Sequence, residues 1–261
     1  PYNGNANRIE VVCTKTVQYS FARIFGLNSK VITARAVAEK SGMTGGPFGY
    51  ALFSGSTTSG LNLGTYMLNI KGNVHGNKSI EINGTSQYFS GNMEAVTSFT
   101  TSSTIRIDGI CQAAYISINP WVGSVVPNQV PTAAAVITMP DLSAQAIAEA
   151  TATGVVYNGN QTFNTATVNV ENSIYVNGDL TIGTTSFVGK GILLATGNIN
   201  IGVGSLSVTS DSSVCIYSKS GNITINGTNL VINGVLYAPN GCVTVRGSSI
   251  TINGRVIGKT L

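Results

Sequence analysis

The pentapeptide GNINI at residues 197–201 returns with small changes through the last third of the chain. It reads GDLTI from Gly178, GNITI from Gly221 and GCVTV from Gly241, so the leading glycines recur at similar intervals. A related phrase begins at Gly72, Gly91 and Gly109, with the same kind of spacing. A period of about 20 residues, built from short strands without a helical pattern, predicts a solenoid of stacked coils.

Apolar residues alternate with Asn, Thr and Ser inside each repeat, which is the pattern of strands with one buried side. Three inward-facing sets follow from this alternation. They are Leu180/Ile182, Ile199/Ile201, Ile223/Ile225 and Val243/Val245 on one side, Leu206/Val208, Leu230/Ile232 and Ile250/Ile252 on a second, and Ile216, Val235 and Tyr237 on a third. Three strands per coil predict a mainly β protein, a right-handed parallel β-helix with glycine and asparagine at its corners.

The remaining segments divide the chain into two expected domains. Residues 1–45 predict a strand–helix–strand module that caps the solenoid or serves assembly, with Phe21 and Phe25 on its short helix. Residues 46–261 predict the solenoid itself. A proline-rich and helical insert interrupts it over about 110–153, and Asp141 or Ser143 would cap a helix over 143–152.

The composition indicates a protein of the cell surface or the extracellular space. Only 9% of the residues are charged, and 31 glycines accompany many Ser, Thr and Asn residues. The net charge is +4 and the basic residues are scattered singly, which argues against nucleic-acid binding. No stretch is suited to span a membrane. Because the chain starts at Pro1, we expect a processed product whose export signal lay upstream.

The titratable residues do not predict an enzyme. The four Asp and six Glu residues are dispersed, whereas polysaccharide-cleaving β-helices need clustered carboxylates. The best constellation is His75, Glu94 and Gln112, which the repeat places on adjacent coils of one outward face. It is interpreted either as a small polar site or as a solvated ladder. With one histidine and no CxxC spacing, neither a metal site nor a cofactor is predicted.

The four cysteines, Cys13, Cys111, Cys215 and Cys242, leave three interpretations open. Outside the cell they are compatible with two disulfides in any of three pairings. They are equally compatible with small buried thiols, or with a bridge to another subunit.

Several segments resemble TadE/TadG-like proteins of Flp pilus assembly. The resemblance lies in the strand at 8–17, FARIFG (21–26) and VITARAVA (31–38), and continues in GPFGYALFSGS (46–56), GNVHGN (72–77), NMEAVTSF (92–99) and VITMPDLS (136–143). GVLYAPNGCVTVRGSSITING (234–254) is similar to polymer-forming β-helical surface proteins. The resemblance implies a surface protein linked to pilus or envelope assembly, with such proteins as partners and without catalytic residues.

The repeat register leads us to expect an open coil at the C-terminal end, because no polar cap or helix follows Ile257. This favours a homopolymer built by head-to-tail stacking or by strand donation from the N-terminal module. The predicted interface comprises Ile9, Val11, Phe21, Phe25, Val31, Ile250, Ile252, Val256, Ile257 and Leu261. The alternative is a carbohydrate-binding surface adhesin that uses Trp121, nearby tyrosines and the Asn/Thr ladders.

Overall fold

The computed structural model describes residues 8–18, 29–39, 46–119, 123–183, 186–203, 206–208 and 211–261. The chain divides into two compact units, Pro1–Thr44 and Gly45–Leu261.

The first unit contains an antiparallel pair of strands, β1 (Arg8–Gln18) and β2 (Ser29–Glu39), with Val11 opposite Ala36. Both strands that the sequence predicts are therefore present. The helix predicted around Phe21 and Phe25 lies outside the described residues.

The second unit opens with a 3-10 turn at Pro47–Gly49 and a first block of coils. Its strands are β3 (Leu52–Ser54), β4 (Leu61–Leu63), β5 (Asn69–Ile70), β6 (Val74–Gly76), β7 (Ser79–Ile82), β8 (Gln87–Phe89), β9 (Met93–Ala95), β10 (Ser98–Thr101), β11 (Ile105–Ile107), β12 (Ile110–Gln112), β13 (Tyr115–Ile118) and β14 (Asn128–Val130). The coils thus continue past residue 110, where the sequence predicted an interruption.

A return segment, residues 131–153, leads to the second block and ends in helix α1 (Ser143–Thr153), which confirms the predicted helix. The second block comprises β15 (Val155–Asn158), β16 (Gln161–Phe163), β17 (Thr167–Asn169), β18 (Ile174–Asn177), β19 (Leu180–Ile182), β20 (Ser186–Val188), β21 (Ile192–Ala195), β22 (Ile199–Val203), β23 (Leu206–Val208), β24 (Val214–Ser218) and β25 (Ile223–Thr260). β25 is a continuous ladder that turns around successive corners of the solenoid.

The strands of the second unit stack in parallel on three faces, as the sequence predicts. Face A carries β15, β18, β21, β24, residues 235–237 and 256–258 of β25, β3, β6, β9, β12 and β14. Face B carries β16, β19, β22 and residues 223–225 and 243–245 of β25, then β4, β7, β10 and β13. Face C carries β17, β20, β23 and residues 230–232 and 250–252 of β25, then β5, β8 and β11.

The two blocks form one solenoid whose chain order is interrupted in the middle. Val256, Ile257 and Gly258 pair in parallel with Leu52, Phe53 and Ser54 of β3. The C-terminal coil is therefore not an open end on face A, and the prediction of a bare last coil was wrong there. The repeat register gives only the position of residues 256–258 within a coil. It carries no information about the distant strand β3 that pairs with them.

The core of each block is filled by the predicted alternating residues. Leu180, Ile182, Ile199 and Ile201 on face B are fully buried, as are Ile80, Ile82 and Val74 in the first block. The third predicted set contains an error. Leu236 is the residue aligned with inward Ile216, so Val235 and Tyr237 point outward. A shift of one residue reverses the side of a strand, and both neighbours here are apolar.

The leading glycines form the corners of the coils. A Cβ atom on Gly221 would lie 2.5 Å from the carbonyl carbon of Gly197 in the coil below, so only glycine permits this spacing. The residue after the glycine continues the stack, because Asn198 Oδ1 accepts a hydrogen bond from the Asn222 amide at 3.0 Å. The first block repeats this arrangement from Asn73 to Asn92 at 2.9 Å. These contacts explain why the phrase recurs with the coil period.

Gly221→Val is expected to destabilise the second unit by about 3 kcal/mol or more, because the added side chain overlaps backbone atoms. Gly202→Ala is the control, since a Cβ at Gly202 meets no atom within 4 Å. Urea unfolding followed by far-ultraviolet circular dichroism measures both variants. Similar unfolding midpoints for the two would contradict the account of the corner.

Candidate functional site

A column of outward side chains runs along face A through both blocks. In register it consists of Val156, Tyr175, Leu194, Tyr217, Tyr237, Ile257, Phe53, His75, Glu94, Gln112 and Val130. Its middle is buried although it points away from the core, because Leu194, Tyr217, Tyr237, Ile257 and Phe53 cluster with Ala146 of α1. Face A is thus covered on its outer side as well as its inner side.

The return segment provides this cover, descending the column one coil at a time. Ala134 N donates to Ala95 O, Ile137 binds Asn77, and Tyr217 Oη donates to Asp141 Oδ1 at 2.8 Å. Face A has eleven strands from β14 to β15, and ten spacings span about 48 Å. Twelve extended residues and an eleven-residue helix reach about 56 Å, so the segment follows the column with little slack.

The side chain of Asn77 attaches the return segment to the first block. Its Nδ2 donates to Ile137 O at 2.7 Å and to Gly55 O at 3.0 Å, while its Oδ1 accepts from Ile137 N at 2.8 Å. The same oxygen lies 2.9 Å from His75 Nε2. Because the backbone fixes the orientation of the amide, His75 Nε2 is the donor to Asn77 Oδ1.

His75 and Glu94 lie side by side, as the sequence predicts, and form a polar cluster with Tyr50. His75 is fully buried and stacks on Phe53 with ring centroids 5.2 Å apart. Its Nδ1 lies 3.7 Å from Glu94 Oε2, and Tyr50 Oη donates to that oxygen at 2.7 Å. Gln112 continues the column but donates to Ala133 O of the return segment, so it does not join the cluster.

The electrostatics of this cluster describe a structural contact. His75, followed by Tyr50, holds the pKa of Glu94 below its ordinary value, while partial burial opposes them. Burial and the Glu94 contact raise the pKa of Tyr50. Since His75 has no accessible surface, the cluster offers no site at which a substrate would reach its ring. The geometry favours attachment of the return segment over catalysis.

The solenoid ends in two terminal coils, and each pairs on one side only within the described residues. One end is formed by β15, β16 and β17. The other is formed by β13 and β14, with Val125 bridging to Arg106 on face C. These edges are the unpaired edges that the sequence analysis had assigned to the C-terminal coil.

The structure places the residues of the predicted interface in different environments. Val256 and Ile257 are engaged by β3, and Ile257 is fully buried, so neither is available to a partner. Ile250, Ile252 and Leu261 are partly buried against the core. Ile9, Val11 and Val31 lie on β1 and β2, and the side chain of Val31 is exposed. Phe21, Phe25 and the proposed sugar platform Trp121 lie outside the described residues.

All four cysteines are free thiols, so the possible disulfides among them are not formed. Cys111 lies in the core of the first block and Cys215 beneath the return segment, which keeps them apart. Burial raises the pKa of each of these two thiols to about 12. No group of three His, Cys, Asp or Glu side chains suited to hold a metal occurs among the residues that the structure describes.

Two shallow depressions mark the corner after face B. One, of about 260 Å³, is lined mainly by Asn164, Asn200, Gly202 and Asn226. The other, of about 290 Å³, is lined by residues that include Glu81, Asn83, Thr100, Ser117 and Asn119. Both present polar ladders rather than an enclosed pocket.

The covered outer side of face A was missed from sequence, although a signal was present. Strands ILLA (192–195) and VCIY (214–217) are apolar without alternation, unlike LTI (180–182) on face B. Continuous apolar strands indicate burial on both sides of a sheet.

Asn77→Ala is expected to destabilise the second unit by about 2–4 kcal/mol, since it leaves backbone groups of Gly55 and Ile137 without their partner. Asn83→Ala is the matched control, because Asn83 is exposed and its side chain donates to the neighbouring side chain of Glu81 rather than to the backbone. Urea unfolding measures both variants. Equal losses of stability would contradict the role of Asn77.

The pH dependence of stability should report on Glu94. Its pKa is lower in the folded state, so ionised Glu94 stabilises the fold above its unfolded pKa of about 4.3, and this contribution is lost as the pH falls through the folded value. Glu94→Gln should therefore lose less stability than the wild type between about pH 5.5 and pH 3. Glu81→Gln is the control and should follow the wild type. Urea unfolding at each pH provides the comparison, and an unchanged slope in Glu94→Gln would contradict the assignment.

No helix among the described residues is long and apolar enough to cross a membrane. Comparison of the chain with protein-family models, with curated proteins and with solved structures finds no match. Function is therefore inferred from the sequence and the geometry.

Proposed function

We propose that this chain is the subunit of an extracellular filament or surface appendage, assembled by head-to-tail stacking of its solenoid. The observation that carries the proposal is the pair of terminal coils whose parallel edges are unpaired in the part of the chain that the structure describes. A solenoid end without a cap exposes backbone donors and acceptors together with the end of the core.

At the first end, backbone groups of the terminal coil are directed away from the solenoid. Gln161 N donates to Asp179 O, so the amide of the next residue, Thr162, points to the free edge. Val155 N likewise donates to Ser173 O, so the amide of Val156 points to the free edge of face A. Tyr157 and Phe163 close the core there as an edge-to-face pair with centroids 5.7 Å apart.

At the second end, backbone groups are likewise directed to the free edge. Tyr115 N donates to Thr97 O, which leaves the amide of Ile116 directed to the free edge. Both ends belong to one parallel solenoid, so a second copy placed on top continues face A in the same direction. Val130 of one copy would then adjoin Val156 of the next in the outward column. Val130 is 38% exposed and Val156 is 40% exposed, so both gain burial from this contact.

Such a contact joins two different surfaces and does not close on itself, so it yields a fibre rather than a ring. The stacking forces are backbone hydrogen bonds and apolar burial, and only 9% of the residues are charged. The fibre should therefore resist salt.

The cellular setting is part of the same proposal. The low charge, the glycine-rich repeat and the resemblance to TadE/TadG-like proteins of pilus assembly support placement at the cell surface, with envelope or pilus proteins as further partners. No enzymatic activity is proposed, because the cluster of Tyr50, His75 and Glu94 contacts the return segment and its histidine is buried.

A carbohydrate-binding role is the second candidate. Tyr115 is 61% exposed and lies on the same outward side of β13 as Ser117, which lines the 290 Å³ depression. An exposed aromatic ring beside a polar ladder is suited to stack on a sugar. A glycan array in which binding is lost in Tyr115→Ala would support this candidate.

Val156→Lys is expected to abolish filaments, because it places a charge on a terminal coil that must be desolvated on stacking. Val231→Lys introduces the same charge on an exposed site in the middle of the solenoid and should leave assembly intact. Negative-stain electron microscopy and sedimentation velocity provide the measurements.

Val156→Pro tests the same end through the backbone, since proline removes the outward amide while Val155 keeps its bond to Ser173. Filaments that persist in both end variants would refute stacking through this coil. A wild-type protein that stays monomeric at every accessible concentration would refute the proposed function.

A further inference from the structure

The junction of the two blocks lacks one strand on each of two faces. On face A, residues 256–258 follow residues 235–237, and β3 follows directly. On face B the last strand of the second block is at 243–245, and the coil begun by residues 256–258 contributes none before β4. On face C the same coil is missing between residues 250–252 and β5. β4 pairs only with β7, and β5 only with β8, among the described strands.

Burial at the junction shows that the missing strand on face C leaves the core open, whereas Leu61 and Val243 on face B are buried. Ile250 and Ile252 are only partly buried, whereas Leu230 and Ile232, one coil earlier on face C, are fully buried. Across the junction Ile70 is partly buried, while its register partner Phe89 is fully buried. Leu261 packs against the cores of both blocks and fills part of the space.

The geometry of this opening, here called the junction groove, restricts what fits it. The groove is bounded by two sets of strand edges, here called its lips. One lip consists of residues 243–245 and 250–252, and the other consists of β4 and β5. An occupant that satisfies both lips is an extended segment running parallel to them, with alternate apolar side chains directed into the core.

We propose that the junction groove accepts strand β1 from a second copy of this chain. β1 pairs only with β2 among the described strands, and an isolated two-stranded pair is marginally stable. Val12 of β1 and Val31 of β2 are 52% and 59% exposed, so this pair leaves apolar surface uncovered. Transfer into the groove would replace one strand partner by two.

The sequence of β1 matches the strands that the groove lacks. Residues Ile9-Glu10-Val11 follow the pattern of face C strand β11, which reads Ile105-Arg106-Ile107. In β11 Ile105 and Ile107 are buried and Arg106 is exposed. The same alternation would direct Ile9 and Val11 into the core and Glu10 to solvent. Ile250, Ile252 and Leu261 then contribute to assembly as groove residues.

This inference deepens the proposed assembly function and rests on it only for the statement that copies associate. End stacking and strand donation use different surfaces. The background for the test is therefore Val156→Lys, in which stacking is blocked, and the full chain is used throughout.

The test places a photo-cross-linking amino acid at position 11 and mixes this protein with isotopically labelled chains lacking it. We expect cross-links between different copies, mapped by mass spectrometry to residues 243–252 or 61–70. Ile250→Asp should lower the yield about tenfold, and Val231→Asp should not. Mapping in the otherwise unaltered chain keeps the test valid if Ile250→Asp fails to fold.

Cross-links confined to one molecule would show that the chain fills its own groove and would overturn the proposal. So would cross-links to either terminal coil, or none at all. Filament formation is scored separately by microscopy of the chain with Val156, so failure of strand donation and failure of end stacking are distinguishable.

Discussion

The parallel pairing of residues 256–258 with β3 is the contact on which the rest of the second unit depends. It joins the last strand of the chain to the first strand of the solenoid and makes face A continuous through both blocks. Without it, each block would end in an unpaired edge over an exposed core. These two strands are about 200 residues apart in the chain, and bringing them together carries an entropic cost. The burial of Phe53 and Ile257 helps to offset this cost.

The return segment holds this arrangement from outside. It leaves at β14, passes over the junction and enters β15 at the opposite end, so one continuous stretch of chain contacts both blocks. Asn77 binds it in the first block, and Tyr217 binds it in the second. Its presence explains why face A strands are apolar on both sides while face B strands alternate.

The same physical property of the solenoid accounts for each proposed mode of assembly. A parallel strand presents half of its backbone groups to each side, so any strand with one neighbour carries unsatisfied donors and acceptors. The terminal coils have this property at the two ends, and the junction groove has it in the middle. With few charges on the chain, electrostatic repulsion does little to prevent pairing with another copy.

Local spacing determined much of this protein. The recurring Gly-Asn phrase requires stacked corners, and the alternation around residues 180–182 and 199–201 sets which side chains fill the core, because both depend on neighbours one coil away. The pairing of His75 with Glu94 followed from the same spacing. Tertiary structure alone decided that β3 covers residues 256–258, that residues 131–153 cover Tyr217 and Tyr237, and which coils remain open. These contacts join segments far apart in the chain, and the coil period carries no information about them.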